Sequence, residues 1–147
     1  MRSVMMSNQP TIEVTASEVL SIRQQSDVIQ LTNRIRQQAL LIGMRVLNQT
    51  KLSTAASELA RNVLTHGGGG SVQLEQIRQG SQIDIRLIFT DRGPGIADVD
   101  QALLPGYSTG AGMGLGLPGA KKLADAFHLT SVVGEGTTVT ILKWTND

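Results

Sequence analysis

The chain has 147 residues, enough for one domain with a hydrophobic core, and its 13 Lys+Arg against 12 Asp+Glu leave a formal net charge of +1. So small a net charge gives no strong field for attracting nucleic acid or an anionic membrane, and an aromatic content of 3% argues against stacking platforms for single-stranded nucleic acid. The absence of cysteine excludes disulfides and thiolate zinc sites, and the apolar runs are far shorter than the roughly 20 residues that span a bilayer. Since the N-terminus also lacks a signal-peptide apolar core, we expect a single cytoplasmic domain without nucleic-acid or membrane partners.

The N-terminal part of the chain is predicted to hold a flexible segment, one strand and one helix. Residues 1–15 form the predicted flexible segment and residues 16–147 the domain, since the chain starts without any hydrophobic period. A short apolar stretch over Val19–Ile22 predicts an edge strand, and Ser26 and Asp27 then stand where a helix N-cap belongs. The apolar residues of the helix that follows recur at helical spacing: Val28, Leu31, Ile35, Ala39 and Ile42.

A second helix and a β-hairpin are predicted in the middle of the chain. The helix begins near Val46 and stops at Gly67–Gly70, because four glycines cannot sustain a helix. The hairpin turns at Gly80 and Ser81 and ends at Asp91, and its second strand alternates apolar and polar residues as a half-buried antiparallel strand does. The inward residues are Leu52, Ala55, Ala56, Leu59 and Val63 on the helix and Val72, Leu74, Ile83, Ile85, Leu87 and Phe89 on the strands.

The C-terminal part of the chain is predicted to hold a glycine-rich loop, a helix and a second hairpin. Six glycines fall in the fourteen positions 106–119, a density typical of a loop that closes over a ligand. A helix follows from near Leu115, and the last hairpin runs over 130–133 and 137–144 around a turn at Gly134–Gly136. The inward residues of that helix are predicted to be Leu117, Ala120, Leu123, Ala124 and Phe127. The elements together predict an α+β fold, a two-layer α/β sandwich with helices on one face of a mixed, mostly antiparallel sheet.

Glu58 and Asn62 lie four residues apart on the second predicted helix, so their side chains share one stripe at the border of its apolar face. A carboxylate there can accept a proton, and a neutral amide oxygen is a suitable hard ligand for Mg²⁺ that adds no charge to repel a triphosphate. The alternative is a surface role, in which Glu58 pairs with Arg61 or Asn62 on a solvated helix face.

The segment Asp91–Ile96 directly follows a predicted strand. An Asp fixed at a strand end can accept a hydrogen bond from an exocyclic amine such as the adenine N6 group, while Gly93 and Gly95 let the backbone approach a flat ring closely. The alternative is an ordinary turn, because Asp-x-Gly and Pro-Gly are common turn sequences.

The run Gly110–Leu117 opens the helix predicted from near Leu115. Unhindered backbone N–H groups would converge there on a helix N-terminus, where phosphate is favoured. The run is neither a Rossmann loop nor a Walker loop, because it lacks a tight strand-turn-helix join and a Gly-Lys-Ser/Thr sequence. The alternative is a flexible glycine-rich lid without a ligand.

In chain order, Glu58-x-x-x-Asn62, Asp91-x-Gly93-x-Gly95, Gly112-x-Gly114-x-Gly116 and Gly134-x-Gly136-Thr137-Thr138 resemble the N, G1, G2 and G3 boxes of the gyrase, Hsp90, histidine kinase and MutL ATPase superfamily. The resemblance runs from about residue 17 to the end of the chain and implies a Bergerat-type ATP-binding fold. The stretches Ser57–Asn62 and Gly106–Thr109, leading into Gly114–Leu117, are similar to the small switch serine/threonine kinases of bacterial stress-response partner-switching modules, which are related to the anti-sigma-factor kinases.

This resemblance implies roles for individual residues. Glu58 would be the general base toward a substrate hydroxyl, Asn62 would hold Mg²⁺, Asp91 would read the adenine amine, and Thr138 would support the adenine end. The nucleotide-binding residues implied are Asn62, Asp91, Gly93, Gly95, Ile96, Gly110, Gly112, Met113, Gly114, Leu115, Gly116 and Thr138. Arg92 departs from the pattern, in which a smaller polar residue such as Asn often stands.

The resemblance also implies partners. The expected cofactors are ATP and Mg²⁺, and the expected protein substrate is a STAS-domain protein. The alternative function is a nucleotide-binding docking module that sequesters a sigma factor or activates a PP2C-type phosphatase.

Overall fold

The computed structural model describes residues 11–104 and 116–146. The strands are β1 (Ile12–Ile22), β2 (Gly70–Gln79), β3 (Gln82–Asp91), β4 (Ala126–Val132) and β5 (Gly136–Lys143), and the helices are α1 (Gln25–Leu41), α2 (Val46–Thr65), α3 (Val99–Ala102) and α4 (Gly116–Leu123). Within these two ranges, no helix is both long and apolar enough to cross a membrane.

The strands form one sheet in the order β1-β2-β3-β5-β4. All four strand pairings among the described residues are antiparallel, so the part of the sheet that the structure shows is not mixed as predicted. Val72 pairs with Phe89, and Phe89 pairs with Val139, so these three side chains lie on one face. They are buried, which identifies this face as the one that the helices cover.

Helices α1 and α2 bury their apolar stripes against this face and against each other, and α4 packs on α2. The α+β sandwich predicted from the sequence is therefore confirmed. The buried residues of the two long helices follow the predicted spacing closely: Val28, Leu31, Ile35 and Ala39 on α1, and Leu52, Ala55, Ala56, Leu59 and Val63 among those on α2. The core places the C-terminal end of α2 beside the C-terminal end of β3, where the candidate site lies.

Element boundaries differ from the prediction at the N-terminal end of the chain. Strand β1 begins at Ile12, so residues 12–15 belong to a strand although the sequence analysis assigned them to a flexible segment. Helix α1 has its N-cap at Gln24, two residues before Ser26, and the Asp27 carboxylate accepts the backbone N–H groups of Arg23 and Gln24. Asp27 therefore completes a capping box from inside the first turn. The division into residues 1–15 and 16–147 otherwise stays a prediction.

Two further differences concern the C-terminal half. Helix α3 was not predicted, and it is a single turn whose N-cap, Asp98, accepts the Gln101 backbone N–H at 3.0 Å. Phe127 was expected on the inner face of α4, but it lies in β4 opposite Ile141. The helix ends at Leu123 because the Asp125 N–H already bonds Leu142 of β5 at 2.9 Å.

Candidate nucleotide site

Glu58 lies on α2 at the junction with α4, and 12% of its side chain is exposed. Its Oε1 lies 3.2 Å from Nη1 of Arg61, and its Oε2 accepts the backbone N–H of Gly116 at a distance of 3.4 Å. The ion pair with Arg61 matches the surface alternative considered from the sequence, but the second contact ties the carboxylate to the first residue of α4. Glu58 therefore faces the positive end of a helix dipole rather than bulk water.

Asn62 lies one turn further along α2, where the helix ends. Its carbonyl oxygen accepts the backbone N–H groups of His66 at 3.0 Å and of Gly67 at 3.2 Å, which closes the last turn. Within the described part of the chain, its side-chain amide makes no hydrogen bond, and the residue is half-buried. The amide oxygen is therefore available to a ligand on the same helix stripe as Glu58.

Asp91 is the last residue of β3 and stands at the sheet end nearest the end of α2. Its Oδ1 accepts the backbone N–H of Gly93 at 2.9 Å. Its Oδ2 accepts no hydrogen bond from the described residues. The first contact fixes the carboxylate, and the second oxygen can accept a hydrogen bond from a ligand amine.

The end of α2 reaches Asp91 through a contact that only glycine permits. A Cβ atom added to Gly67 would lie 2.5 Å from both Cβ and Cγ of Asp91, and one added to Gly93 would lie 2.7 Å from Cα of Gly67. Since carbon atoms in contact are normally about 3.5–4.0 Å apart, neither position can carry a side chain without a shift of its neighbours. Gly67 and Gly93 therefore let α2 and the turn after β3 meet.

Two further glycines let the turn between β4 and β5 pack closely against the turn that follows β3. A Cβ atom on Gly95 would lie 2.5 Å from the carbonyl oxygen of Val132, and one on Gly136 would lie 2.1 Å from that of Asp91. Their φ angles of +80° and +133° also disfavour any other residue. The predicted place of Gly93 and Gly95 beside a flat ring stays a prediction, and the structure adds that protein backbone occupies the position where a side chain at either residue would lie.

Strand register separates Thr137 from Thr138. Thr137 pairs with Asp91, whereas Thr138 pairs with Thr90 of β3 and Thr130 of β4. Because successive residues of a strand point to opposite faces, Thr137 shares the helix-side face with Asp91 and Thr138 lies on the outer face. The Thr138 side chain, expected to support the adenine end, thus points to the face opposite Asp91, although Asp91, Thr137 and Thr138 all line one depression of about 250 Å³ at this end of the sheet.

Ser131 connects Thr137 to the turn after β3. Its hydroxyl lies 2.8 Å from Oγ1 of Thr137 and accepts the backbone N–H of Ile96 at 2.7 Å. Ile96, one of the predicted binding residues, is thereby fixed near the Asp91 turn through its main chain. The hydroxyl pair supplies polar groups on the same face as the Asp91 carboxylate.

The glycine-rich run Gly110–Leu117 is described only from Gly116 onward. Gly110, Gly112, Met113, Gly114 and Leu115 lie outside the described residues. Gly116 is the first residue of α4, has a φ of +64°, and donates its N–H to Glu58. The predicted helix after the glycines is confirmed, and its described part begins at Gly116.

The donor set fits Mg²⁺-ATP. Mg²⁺ usually keeps several waters and binds through one or two protein oxygens, commonly carboxylates, plus substrate phosphates, so one amide oxygen at Asn62 is compatible with a Mg²⁺-phosphate site. The described residues contain no group of three or more His, Cys, Asp or Glu that would form an all-protein metal cage. The Asp91 Oδ2 atom supplies the acceptor that an adenine amine requires.

An α+β sandwich with these groups at one end of α2 defines a nucleotide-binding domain. Residues 47–146 match the family model described as histidine kinase-, DNA gyrase B- and HSP90-like ATPase, and the chain belongs to this family.

Two relatives and one solved structure show which proteins of this family the chain resembles. The chain is 39% identical over 118 residues to the serine/threonine-protein kinase RsbT of Bacillus subtilis, covering 80% of this chain and 89% of the relative. It is 31% identical over 102 residues to the anti-sigma F factor of Pasteuria penetrans, covering 64% of this chain and 67% of the relative. The crystal structure of the RsbU and RsbW domains of Rv1364c from Mycobacterium tuberculosis matches with a TM-score of 0.61 and 18% identity, over 87% of this chain and 32% of that one, a likeness that shows the fold.

Sequence reasoning missed three residues that build the site. Gly67 was read only as a helix stop, and its contact with Asp91 joins positions 24 apart in the chain. Thr137 and Ser131 could be found only from the pairing of β5 with β3 and β4. The GTT sequence at Gly136–Thr138 carries the signal, but which of its two threonines faces the site depends on strand register.

Proposed function

We propose that this protein is an ATP-dependent serine/threonine protein kinase that phosphorylates a STAS-domain regulatory protein in a bacterial partner-switching pathway. The observation that carries the proposal is the arrangement of Glu58 and Asn62 on one stripe of α2, beside the N-terminus of α4 and the Asp91 turn. The 39% identity to a serine/threonine-protein kinase supports this activity over other uses of an ATP-binding fold.

Asp91 and Thr137 would bind the nucleotide base. The Asp91 Oδ2 atom accepts a hydrogen bond from the adenine amine, and the Thr137 hydroxyl lies on the same strand face to support it. Because Oδ1 is already held by Gly93, the carboxylate needs little rearrangement when it binds. Preorganisation of this kind lowers the entropy cost of binding.

Asn62 would hold Mg²⁺ through its amide oxygen, and a bound Mg²⁺ would neutralise negative charge on the phosphates. The amide places no negative charge beside the phosphates, unlike an aspartate at the same position. The N-terminus of α4 also favours the negative charge of the phosphates.

Glu58 would act as the general base. Its carboxylate accepts the proton of the substrate Ser or Thr hydroxyl while the oxygen forms a bond to the γ-phosphorus and the bond from that phosphorus to the β,γ-bridging oxygen breaks, releasing ADP. No covalent enzyme intermediate is needed. The contacts with Arg61 and Gly116 hold the carboxylate in place, and positioning of this kind is the main protein contribution to phosphoryl transfer.

Phosphotransfer from labelled ATP to a purified STAS-domain protein tests the proposal. Glu58→Gln should lower the transfer rate by about 10²-fold or more, the usual contribution of a general base, while ATP still binds. Glu13→Gln is the matched control, because Glu13 is an exposed carboxylate whose ion pair among the described residues is with Arg78 at the edge of the sheet. Equal transfer by Glu58→Gln and the wild type would reject the base assignment.

Asn62→Ala tests the metal assignment in the same assay. We expect lost transfer with an unchanged unfolding temperature, because the Asn62 side chain makes no hydrogen bond to the described residues. Asn33→Ala, at an exposed position of α1, is its control. Transfer that stays at the wild-type rate in Asn62→Ala would remove this residue from the mechanism.

The alternative function is a docking module that sequesters a sigma factor or activates a PP2C-type phosphatase. The 31% identity to an anti-sigma F factor favours it. Wild-type protein that binds ATP and a partner but transfers no phosphate to any STAS-domain protein would support this alternative and reject the kinase.

A further inference from the structure

Four large aliphatic residues at the turn between α1 and α2 are exposed to solvent. They fall within eight consecutive positions and are exposed by 63–77%: Leu40, Leu41, Val46 and Leu47. We call this group the hairpin patch. A single exposed aliphatic residue is common on a protein surface, whereas four at one helix-helix turn favour an interaction site.

The patch is exposed because it falls outside the periods that bury each helix. The inner stripe of α1 ends at Ala39, so Leu40 and Leu41 point away from the core. Likewise, the inner stripe of α2 starts at Asn48, so Val46 and Leu47 precede it. The four residues therefore contribute little to the fold, and burying them would require another molecule.

The turn that presents the patch is firmly held. Met44 between the two helices is 4% exposed, and its backbone N–H donates to Ala39 at 2.9 Å. The buried Asn48 side chain donates to the carbonyl oxygens of Trp144 and Thr145 at 3.3 and 3.4 Å, which attaches the start of α2 to the end of β5. A rigid apolar surface binds a partner at a lower entropy cost than a disordered loop does.

The segment that contains the hairpin patch carries positive charges and no negative ones. Residues 28–57 contain no Asp or Glu and four cations, whereas the remaining 117 residues carry 9 Lys+Arg and 12 Asp+Glu. Two of the four already have interaction partners, since Arg34 pairs with Glu18 and Arg45 is engaged as well. The segment that presents the patch therefore has a formal net charge of +4 (4 − 0) against −3 (9 − 12) for the rest of the chain, and an acidic ligand is its electrostatic complement.

We propose that the hairpin patch docks an acidic, amphipathic helix of a partner protein. The helix would place its apolar stripe on the four aliphatic side chains and its flanking Asp and Glu residues near Arg36 and Lys51. A second copy of the chain is disfavoured, because a two-fold interface would bring two such cationic regions together. An anionic membrane is disfavoured too, because Arg34 and Arg45 already have interaction partners, which leaves two cations beside the patch against the 4–8 clustered Lys and Arg typical of lipid-binding segments.

The patch is remote from the nucleotide site. Val46 and Asn62 are sixteen residues apart on one helix, which corresponds to about 24 Å at 1.5 Å per residue. A hydroxyl bound at Glu58 and a helix bound at the patch would therefore occupy different surfaces. The proposal thus adds a second partner surface to the kinase site and does not depend on catalysis.

Fluorescence anisotropy with a labelled synthetic peptide tests the proposal. The probe is an 18-residue helix with Leu at positions i, i+3, i+4 and i+7 of each repeat and Glu on both flanks, compared with the same peptide carrying Lys in place of Glu. We expect the Glu peptide to bind with a micromolar dissociation constant that weakens with salt, and the Lys peptide to bind at least tenfold more weakly. No binding of the Glu peptide, or equal binding of both, would overturn the proposal.

Variants locate the binding surface. Leu40→Ser with Leu47→Ser should weaken the Glu peptide at least tenfold, and Arg36→Glu with Lys51→Glu should do the same. Val19→Ser is the matched control, because Val19 is 68% exposed on β1, on the sheet face opposite the helices, and it should leave binding unchanged. All these positions are exposed or half-buried, so thermal unfolding should stay close to the wild type. Equal weakening by the control would place the binding elsewhere.

Two other results would show that a second copy of the chain or a membrane covers the hairpin patch. Sedimentation that shows a dimer of the free chain, dissociated by Leu40→Ser with Leu47→Ser, would assign the patch to a second copy. Binding to phosphatidylserine vesicles that the same variant abolishes, without binding of the Glu peptide, would assign it to a membrane. Either result would overturn the proposal, and neither bears on phosphotransfer at Glu58.

Discussion

Replacing Gly67 by alanine should separate nucleotide binding from folding. The added Cβ atom would lie 2.5 Å from Cβ and Cγ of Asp91 and 2.8 Å from its Oδ2. Since carbon contacts below about 3.5 Å are repulsive, either the end of β3 or the end of α2 must move by about 1 Å. The Asp91 carboxylate would then no longer lie where a bound adenine amine meets it.

The expected magnitude follows from the interaction lost. A hydrogen bond to a charged group is worth about 1.5–3 kcal/mol, so Gly67→Ala should weaken ATP binding by roughly tenfold to a hundredfold. Overpacking of this kind also costs about 1–3 kcal/mol of stability. Asp91→Asn should weaken binding by a similar factor without that stability loss, because no atom is added beside Gly67.

The neighbouring glycine provides the control. Gly68 has a φ of +72° and no atom within 4 Å of an added Cβ, so Gly68→Ala introduces only backbone strain of about 1–2 kcal/mol. Isothermal titration with ATP and Mg²⁺ and urea unfolding should be measured for both variants. If Gly67→Ala binds ATP as tightly as Gly68→Ala does, the position of Asp91 does not determine nucleotide affinity and the reasoning fails.

Two further substitutions test the site and the core. Thr137→Val should weaken ATP binding about threefold to tenfold by removing one hydrogen-bonding hydroxyl, whereas Thr138→Val should leave it unchanged; titration calorimetry giving the opposite order would restore the prediction made from the sequence. Leu59→Ala, at a position that is 1% exposed, should lower the free energy of unfolding by about 2–5 kcal/mol in urea with an unchanged denaturant slope, and a loss below 1 kcal/mol would mean that the α2 face is not packed as described.

Hydrophobic periodicity predicted the long helices well because burial alone decides those positions. Four of the five apolar residues predicted to face the core from α1 are buried, and the bounds of α2 agree with the sequence at both ends. The same rule failed at Phe127, which lies four residues after Leu123 and so also fits a helix. Helical and strand patterns cannot be distinguished over so short a segment, and the pairing with β5 decides the outcome.

The sequence identified the helices and strands that carry the site residues. It did not show which residues of different elements come into contact in the fold. Glu58 and Asn62 lie on one helix, so their spacing alone places them together. By contrast, Thr137 faces Asp91 only because β5 pairs with β3 in one register, and a shift by one residue would bring Thr138 there instead. Such register is set by long-range pairing, which a local motif does not contain.

The glycines also make long-range contacts that the sequence alone did not predict. The four glycines after α2 predicted a helix end, and the glycines after Asp91 predicted close approach to a ring. In the structure, Gly67 and Gly93 approach each other, and Gly95 approaches Val132. Sequence can show that backbone must come close at a glycine, but the partner is known only once the chain has folded.

Titration calorimetry of Asp91→Asn against the wild type tests the central claim most directly, since that claim is one nucleotide pocket formed by α2, the Asp91 turn and α4. The wild type should bind ATP in a magnesium-dependent manner, Asp91→Asn should bind at least tenfold more weakly, and Asp100→Asn, at an exposed position of α3, should match the wild type. Folded wild-type protein that takes up neither ATP nor ADP in the presence of Mg²⁺ would contradict the account.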